Sequence, residues 1–186
     1  MSTATTTTII PTGTWTADTA HSSIGFSVKH LGIATVRGTF GEFEGSLEIG
    51  EDLSSARITG SAKTASIDTA EPARDAHLRS PDFFDAESYP ELRFESNSVT
   101  ALDDETFTVE GALTMHGETH PITLTAELLG AETDPYGNER VGLENTGQLS
   151  RGEWGMKFNQ ALGSGNLMVA DKVKLAIDVS AVKQAA

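Results

Sequence analysis

Apolar and polar residues alternate with a period of two along most of this chain, and that pattern argues against a helical core. In "SSIGFSVKHLG" the residues Ile24, Phe26, Val28 and His30 share one face, with Gly25, Ser27 and Lys29 on the other. Successive side chains of a strand point to opposite faces, so this is the signature of a half-buried strand. In "FEGSLEI", Phe43, Gly45, Leu47 and Ile49 alternate with Glu44, Ser46 and Glu48. Upstream, Val36, Gly38 and Phe40 hold the opposite parity, which predicts a long bent strand with a bulge near Gly41. The pattern returns at about 56–67, 91–102, 106–115, 121–130, 140–150 and 171–182. Turn signals separate the runs: Asp103-Asp104, His116-Gly117-Glu118, and Asp134-Pro135-Tyr136-Gly137-Asn138. About eight strands in sequence, several tightly joined, close most naturally as an all-β, eight-stranded antiparallel up-and-down barrel, because closure removes exposed edges. A two-sheet sandwich is the alternative.

One stretch interrupts the alternation. In "DTAEPARDAHLRSPDFFDAESYP", Thr69 is placed to cap a short helix with Glu71 and Pro72 in its first turn, and Ser80-Pro81 reads as a second start. One or two short helices are therefore expected in an insert near residues 70–86, at a barrel mouth. The first 13 residues read as a disordered Thr-rich tail, and 14–183 as a single binding domain.

Composition removes several function classes. With no cysteine among 186 residues, disulfides, thiol catalysis and Cys-ligated zinc are excluded; such a chain fits a reducing compartment. A formal net charge of −14 repels nucleic acid and anionic membrane surfaces at long range. The start lacks the basic and apolar regions of a secretory signal, and no run reaches the roughly 18 apolar residues of a membrane span. The chain reads as cytoplasmic, without stable membrane insertion. Pairing of two barrels into a homodimer is compatible with this reading.

Several constellations invite chemistry. His116 and His120 in "LTMHGETHP" have the spacing of a zinc-binding helix, but they lie between two alternating runs with a Gly inside and a Pro after. A hairpin with one strand-end and one exposed turn histidine is expected instead, and no metal or cofactor. "DTAHS" holds the residue types of a nucleophile triad in Asp18, His21 and Ser22; extended chain scatters them, so local hydrogen bonding is expected. Asp68, Arg74, Asp75 and His77 form a denser group, read either as a salt-bridge network seating the helix or as a recognition spot. Arg151 and Trp154 in "SRGEWGM" suggest a mouth or floor. Small strand residues (Gly38, Gly45, Gly60, Ala62, Gly111, Ala112) leave space inside if they point inward.

The blocks "DTAHSSIGFSVKHLGIATVRGTFGEFEGSL", "ASIDTAEPARDAHLRSPDFFDAESYPELRFES", "VEGALTMHGETHPITL" and "SRGEWGMKF" occur here in that order. In them, from about Trp15 to Val182, the chain resembles the YceI-like family of lipocalin-like polyisoprenoid-binding proteins. The resemblance implies a barrel with a long inner cavity for a lipid-like chain, and no catalytic chemistry. His120 falls where the family more usually has Lys, and Trp154 where it more often has Phe. The expected function is binding, and carriage or sequestration, of an amphipathic isoprenoid of quinone or polyprenyl phosphate type. Candidate tail contacts are Phe26, Val28, Phe40, Phe83, Phe84, Phe94, Leu113, Trp154 and Phe158; candidate polar contacts are His30, Arg74, His77, His116 and Arg151. A solidly packed stress-response or interaction module, and a hydrolase, are the competing readings.

Overall fold

The alternating segments fold as strands. The computed structural model describes residues 10–185, with β1 (Gly13–Ala17), β2 (Ser23–His30), β3 (Ala34–Phe40), β4 (Phe43–Ile49), β5 (Arg57–Lys63) and β6 (Ile67–Asp68). One helix follows, α1 (Pro72–Arg79), and then β7 (Glu91–Ala101), β8 (Thr106–Met115), β9 (Glu118–Thr133), β10 (Glu139–Ser150) and β11 (Val169–Lys183). Every ladder is antiparallel, and β1 closes the sheet by pairing with β4 on one side and β11 on the other. The short strands are pieces of longer ribbons. β1 and β2 both lie along β11, while β3 and β4 pair in turn with β2 and β1. β6 prolongs β5. Counted as ribbons, the wall is a closed eight-stranded antiparallel barrel, as the alternation predicts.

The bend expected near Gly41 is present between β3 and β4. Gly41 N–H donates to Ser66 O and Lys63 N–H to Glu42 O, so the chain stays anchored to its neighbour while Phe40 and Phe43 both pack in one apolar cluster. The His116 hairpin has a two-residue turn: His116 and Gly117 have φ of 53° and 75°, and Met115 already pairs with Glu118. Both central residues lie in the left-handed region, as a type I′ turn requires.

The insert contains one α-helix. Its N-cap is Glu71, whose carboxylate accepts Ala73 N–H, with Pro72 in the first turn. Thr69 is not the cap; it donates its N–H (2.8 Å) and hydroxyl (2.5 Å) to the Asp75 carboxylate. At Ser80-Pro81 the chain makes turns rather than a second helix, with Phe83 and Asp85 N–H both donating to Ser80 O. Of the tail expected over 1–13, residues 1–9 lie outside the described residues. Ile10 is buried in the core, and Pro11 O accepts the Trp15 indole N–H.

Because the ribbons alternate in direction, the turns at 50–56, 102–105 and 134–138 share one end. The 31–33 turn, α1, the His116 turn and the 151–168 segment share the other. Apolar packing closes the first end around Trp15, Leu47, Phe107 and Val141. At the second, Phe40, Ala62 and Ile67 pack with Phe84 and Leu78.

Candidate functional site

Between these packings the barrel is hollow. A cavity of about 270 Å³ runs inside it, lined by the inward faces of the ribbons: Ile24, Phe26 and Val28 on β2, Val173, Leu175 and Ile177 on β11, Leu143 and Leu149 on β10. The hollow has an identifiable cause. Gly45 and Gly60 stand opposite one another in the β4–β5 ladder on the cavity face. A Cβ at Gly60 would meet nothing nearer than Glu44 O at 3.7 Å, and one at Gly45 nothing nearer than 3.5 Å. Two facing residues without side chains leave the wall bare.

The other small residues behave differently. A Cβ at Gly38 would stand 2.5 Å from the Phe26 ring, and one at Gly111 2.5 Å from the Phe94 ring. These glycines are roofed by aromatics and leave no space. Ala62 lines the cavity but is packed with Phe40 and Ile67. Ala112 has the parity of exposed Glu110 and does not line the cavity.

Of the candidate contacts, Phe26, Val28, Phe40, Phe83, Phe84, Phe94, Leu113 and Arg151 line the cavity; His30, Arg74, His77, His116, Trp154 and Phe158 do not. His30 keeps the parity of Val28 and is the last residue of β2, but it does not line the cavity, although its ladder partner Val169 does. Arg74 turns to Thr69, donating from Nε to the hydroxyl (2.7 Å) and from Nη2 to the carbonyl (2.8 Å). His77 Nε2 pairs with the Asp82 carboxylate at 2.8 Å, and its ring packs edge-on against Phe83 and Phe158. Phe158 also meets Phe83, so the three rings form a cluster behind Phe83's cavity face. The expected network of Asp68, Arg74, Asp75 and His77 is therefore not an ion-pair cluster; Thr69 is its hub, and His77 stands apart from it.

Trp154 is fully buried, and its indole N–H donates to Leu113 O at 3.0 Å. Neither hairpin histidine is the exposed turn residue expected. His116 is half-buried, with Nδ1 2.8 Å from Trp154 O. His120 lies within β9 on the face of Ile122, its ring packed edge-on against Trp154 and its Nε2 buried without a partner among the described residues. Among the described residues no group of three or more His, Asp or Glu could hold a metal ion.

Among the described residues Arg151 is the one charged side chain that is both buried, at 5% exposed, and on the cavity wall. Its Nε donates to Ala170 O (3.0 Å), Nη1 to Met156 O (2.7 Å) and Nη2 to Val169 O (3.3 Å). The guanidinium lies 5.8 Å from the Phe83 ring centroid. Burial pushes its pKa below the ordinary arginine value, with the charge of Asp171 opposing. Asn145, also on the wall, donates its amide to Ile177 O. The β10 and β11 wall residues were absent from the candidate contacts, although the parity of "VKLAIDVSA" marks Val173, Leu175, Ile177 and Val179 as one face.

The triad residues do not assemble. Asp18 Oδ2 lies 2.8 Å from both His21 Nδ1 and Arg140 Nη1, and hydrogen bonds from Arg140 and then His21 hold its pKa near about 2. The Ser22 hydroxyl is taken by the backbone of Ser180, donating to its carbonyl and accepting from its N–H. His21 is exposed and makes no bond to Ser22, so among the described residues no base serves the hydroxyl.

Residues 15–181 match the YceI-like domain. A UPF0312 protein of Photorhabdus laumondii is 40% identical over 138 residues, covering 74% of this chain and 71% of that protein. The YCEI protein of Campylobacter jejuni superposes with a TM-score of 0.72 at 28% identity, covering 90% of this chain and 96% of that one. A polyisoprenoid binding domain from Saccharophagus degradans superposes with a TM-score of 0.68 at 13% identity, covering 94% of this chain and all of that one, and so shares the fold.

Proposed function

The chain belongs to the YceI-like family, and from that premise we propose that its barrel binds an amphipathic isoprenoid, of quinone or polyprenyl phosphate type, and carries or sequesters it. The observation that carries this reading is the hollow interior: a wall that is apolar almost throughout, kept open by the Gly45–Gly60 pair. Burying a methylene is worth roughly 0.8 kcal/mol, so a long tail gains affinity without specific contacts. Phe26, Val28, Phe40, Phe83, Phe84, Phe94 and Leu113 supply the tail surface. The polyisoprenoid binding domain of Saccharophagus degradans has the same fold, which supports the ligand class. A packed module has no need of a bare cavity, and the Asp18, His21 and Ser22 geometry does not favour a hydrolase.

Native mass spectrometry of protein purified from its own host, followed by organic extraction, tests this directly. A stoichiometric isoprenoid released only on unfolding is expected. Gly60→Leu fills the cavity from a position with room for a Cβ; it should abolish the adduct while leaving the fold intact. Bare wild-type protein that also fails to take up quinones and polyprenyl phosphates would sink the reading in favour of an interaction module. Turnover of an isoprenoid ester that disappears in His21→Ala or His77→Ala would instead establish an enzyme.

A further inference from the structure

A guanidinium carries five N–H donors in a planar fork. In Arg151 the three bonds to Ala170, Met156 and Val169 carbonyls occupy one donor on each nitrogen. One N–H on each terminal nitrogen is left without an acceptor among the described residues. No carboxylate forms an ion pair with Arg151 there either. Asp171 is the acid whose charge it feels, but that carboxylate is committed elsewhere, to Gly152 N–H and the Ser150 hydroxyl. Glu153, two residues on, is exposed. A buried cation balanced by carbonyl dipoles, one aromatic face and an acid that is bonded elsewhere is a costly arrangement, and a counter-charge in contact would relieve it. The cavity that Arg151 lines is the space into which that counter-charge can be brought.

We propose that Arg151 is the head-group anchor of the cavity, and that the ligand it selects carries an oxyanion, with the tail running from Arg151 toward the bare Gly45–Gly60 wall. This inference rests on the lipid-binding reading above and narrows it. Charge-assisted bidentate geometry suits guanidinium to phosphate or carboxylate over a neutral hydroxyl. The wall is otherwise mostly apolar; Asn145 is engaged with Ile177 O, and Glu44 and Arg93 are exposed, so head-group choice falls to the buried cation.

The test compares three probes with the same C20 isoprenoid tail, geranylgeranyl monophosphate, geranylgeranoic acid and geranylgeraniol, binding to the full chain stripped of lipid. Both anions should bind about tenfold or more tighter than the alcohol. A tighter monophosphate assigns the site to phosphate, a tighter acid to carboxylate. Arg151→Met should erase that preference while leaving alcohol binding in place, and Arg151→Lys should keep part of it. Wild-type protein that binds all three equally, or a preference that survives in Arg151→Met, overturns the anchor while leaving lipid binding standing. Failure of all three probes overturns the lipid-binding reading itself. Should Arg151→Met not fold, the Nε–Hε resonance of Arg151 in ¹⁵N-arginine-labelled wild type decides. It should move on addition of the anions and stay still with the alcohol; a shift of equal size with the alcohol rejects the anchor.

Discussion

Arg140 and Arg151 are the same residue type in opposite electrostatic settings. Arg140 sits on the barrel's outer side and is matched twice over, Nε on Asp134 at 2.7 Å and Nη1 on Asp18 at 2.8 Å. It ties the β9–β10 turn to the kink between β1 and β2, and each partner stabilises the other's charged form. The pKa of Arg140 is raised, first by its hydrogen bond to Asp134, and Arg140 in turn lowers both acids. Arg151 sits at the cavity with backbone carbonyls for partners and no paired acid among the described residues. A matched charge fastens the wall. An unmatched one, in the same chain of 27 acidic residues, is where a ligand's charge can be received.

The variants that probe this contrast fall in order of expected effect. Trp154→Ala removes a fully buried indole that braces the Arg151 turn against β8 and should cost about 3–5 kcal/mol by denaturant unfolding. Arg151→Met exchanges a charge for a similar volume but removes the side-chain donor from the Met156 and Ala170 carbonyls, while Val169 O keeps the Asn159 amide, for a loss of about 1–3 kcal/mol in the lipid-free protein. If Arg151→Met proves more stable than wild type without lipid, the unmatched charge was the dominant cost and the contrast is sharper still.

The matched region should reveal itself through pH. Asp18 has a native pKa of about 2, and Asp134 is held lower still, chiefly by Arg140; both titrate near 3.9 when unfolded. Depressed carboxylates contribute stability that is whole above about pH 4 and is lost as pH falls toward 2. Wild-type stability should therefore decline over that window in acid titration, and Arg140→Met should flatten the decline. An unchanged acid profile in Arg140→Met would show that other carboxylates dominate. Smallest of all, His21→Gln removes only the exposed partner of Asp18 and should leave the melting temperature unchanged within error, since Arg140 keeps the carboxylate.

Much of the wall could be read from parity, because each strand's inward face must be apolar wherever the barrel is lined. Phe26, Val28, Phe94 and Leu113 reach the cavity for that reason. His30 obeys the same parity and misses it although its ladder partner Val169 does not, since parity fixes a side of the strand but not the course of a side chain at its end. Arg74, His77 and Phe158 could not be placed, as their directions depend on how the insert and the 151–168 segment fold back over the barrel's end. β1 went unread because only Trp15 carries an apolar signal in its five residues.

Alternation and turn chemistry pointed to an antiparallel closed sheet with one helical insert, because a period of two and short joints admit few other arrangements. Where the interior stays hollow was decided by tertiary structure. Gly38 and Gly45 look equivalent in sequence, yet a Cβ at the first would meet the Phe26 ring at 2.5 Å, while the nearest side-chain atom to a Cβ at the second is Ala17 Cβ at 3.7 Å. Whether a glycine makes space depends on which side chain a neighbouring ribbon lays across it, and that follows from register, tilt and rotamer. The same holds for the two arginines: the letter specifies a cation, and only the packing around it sets whether an acid is within reach.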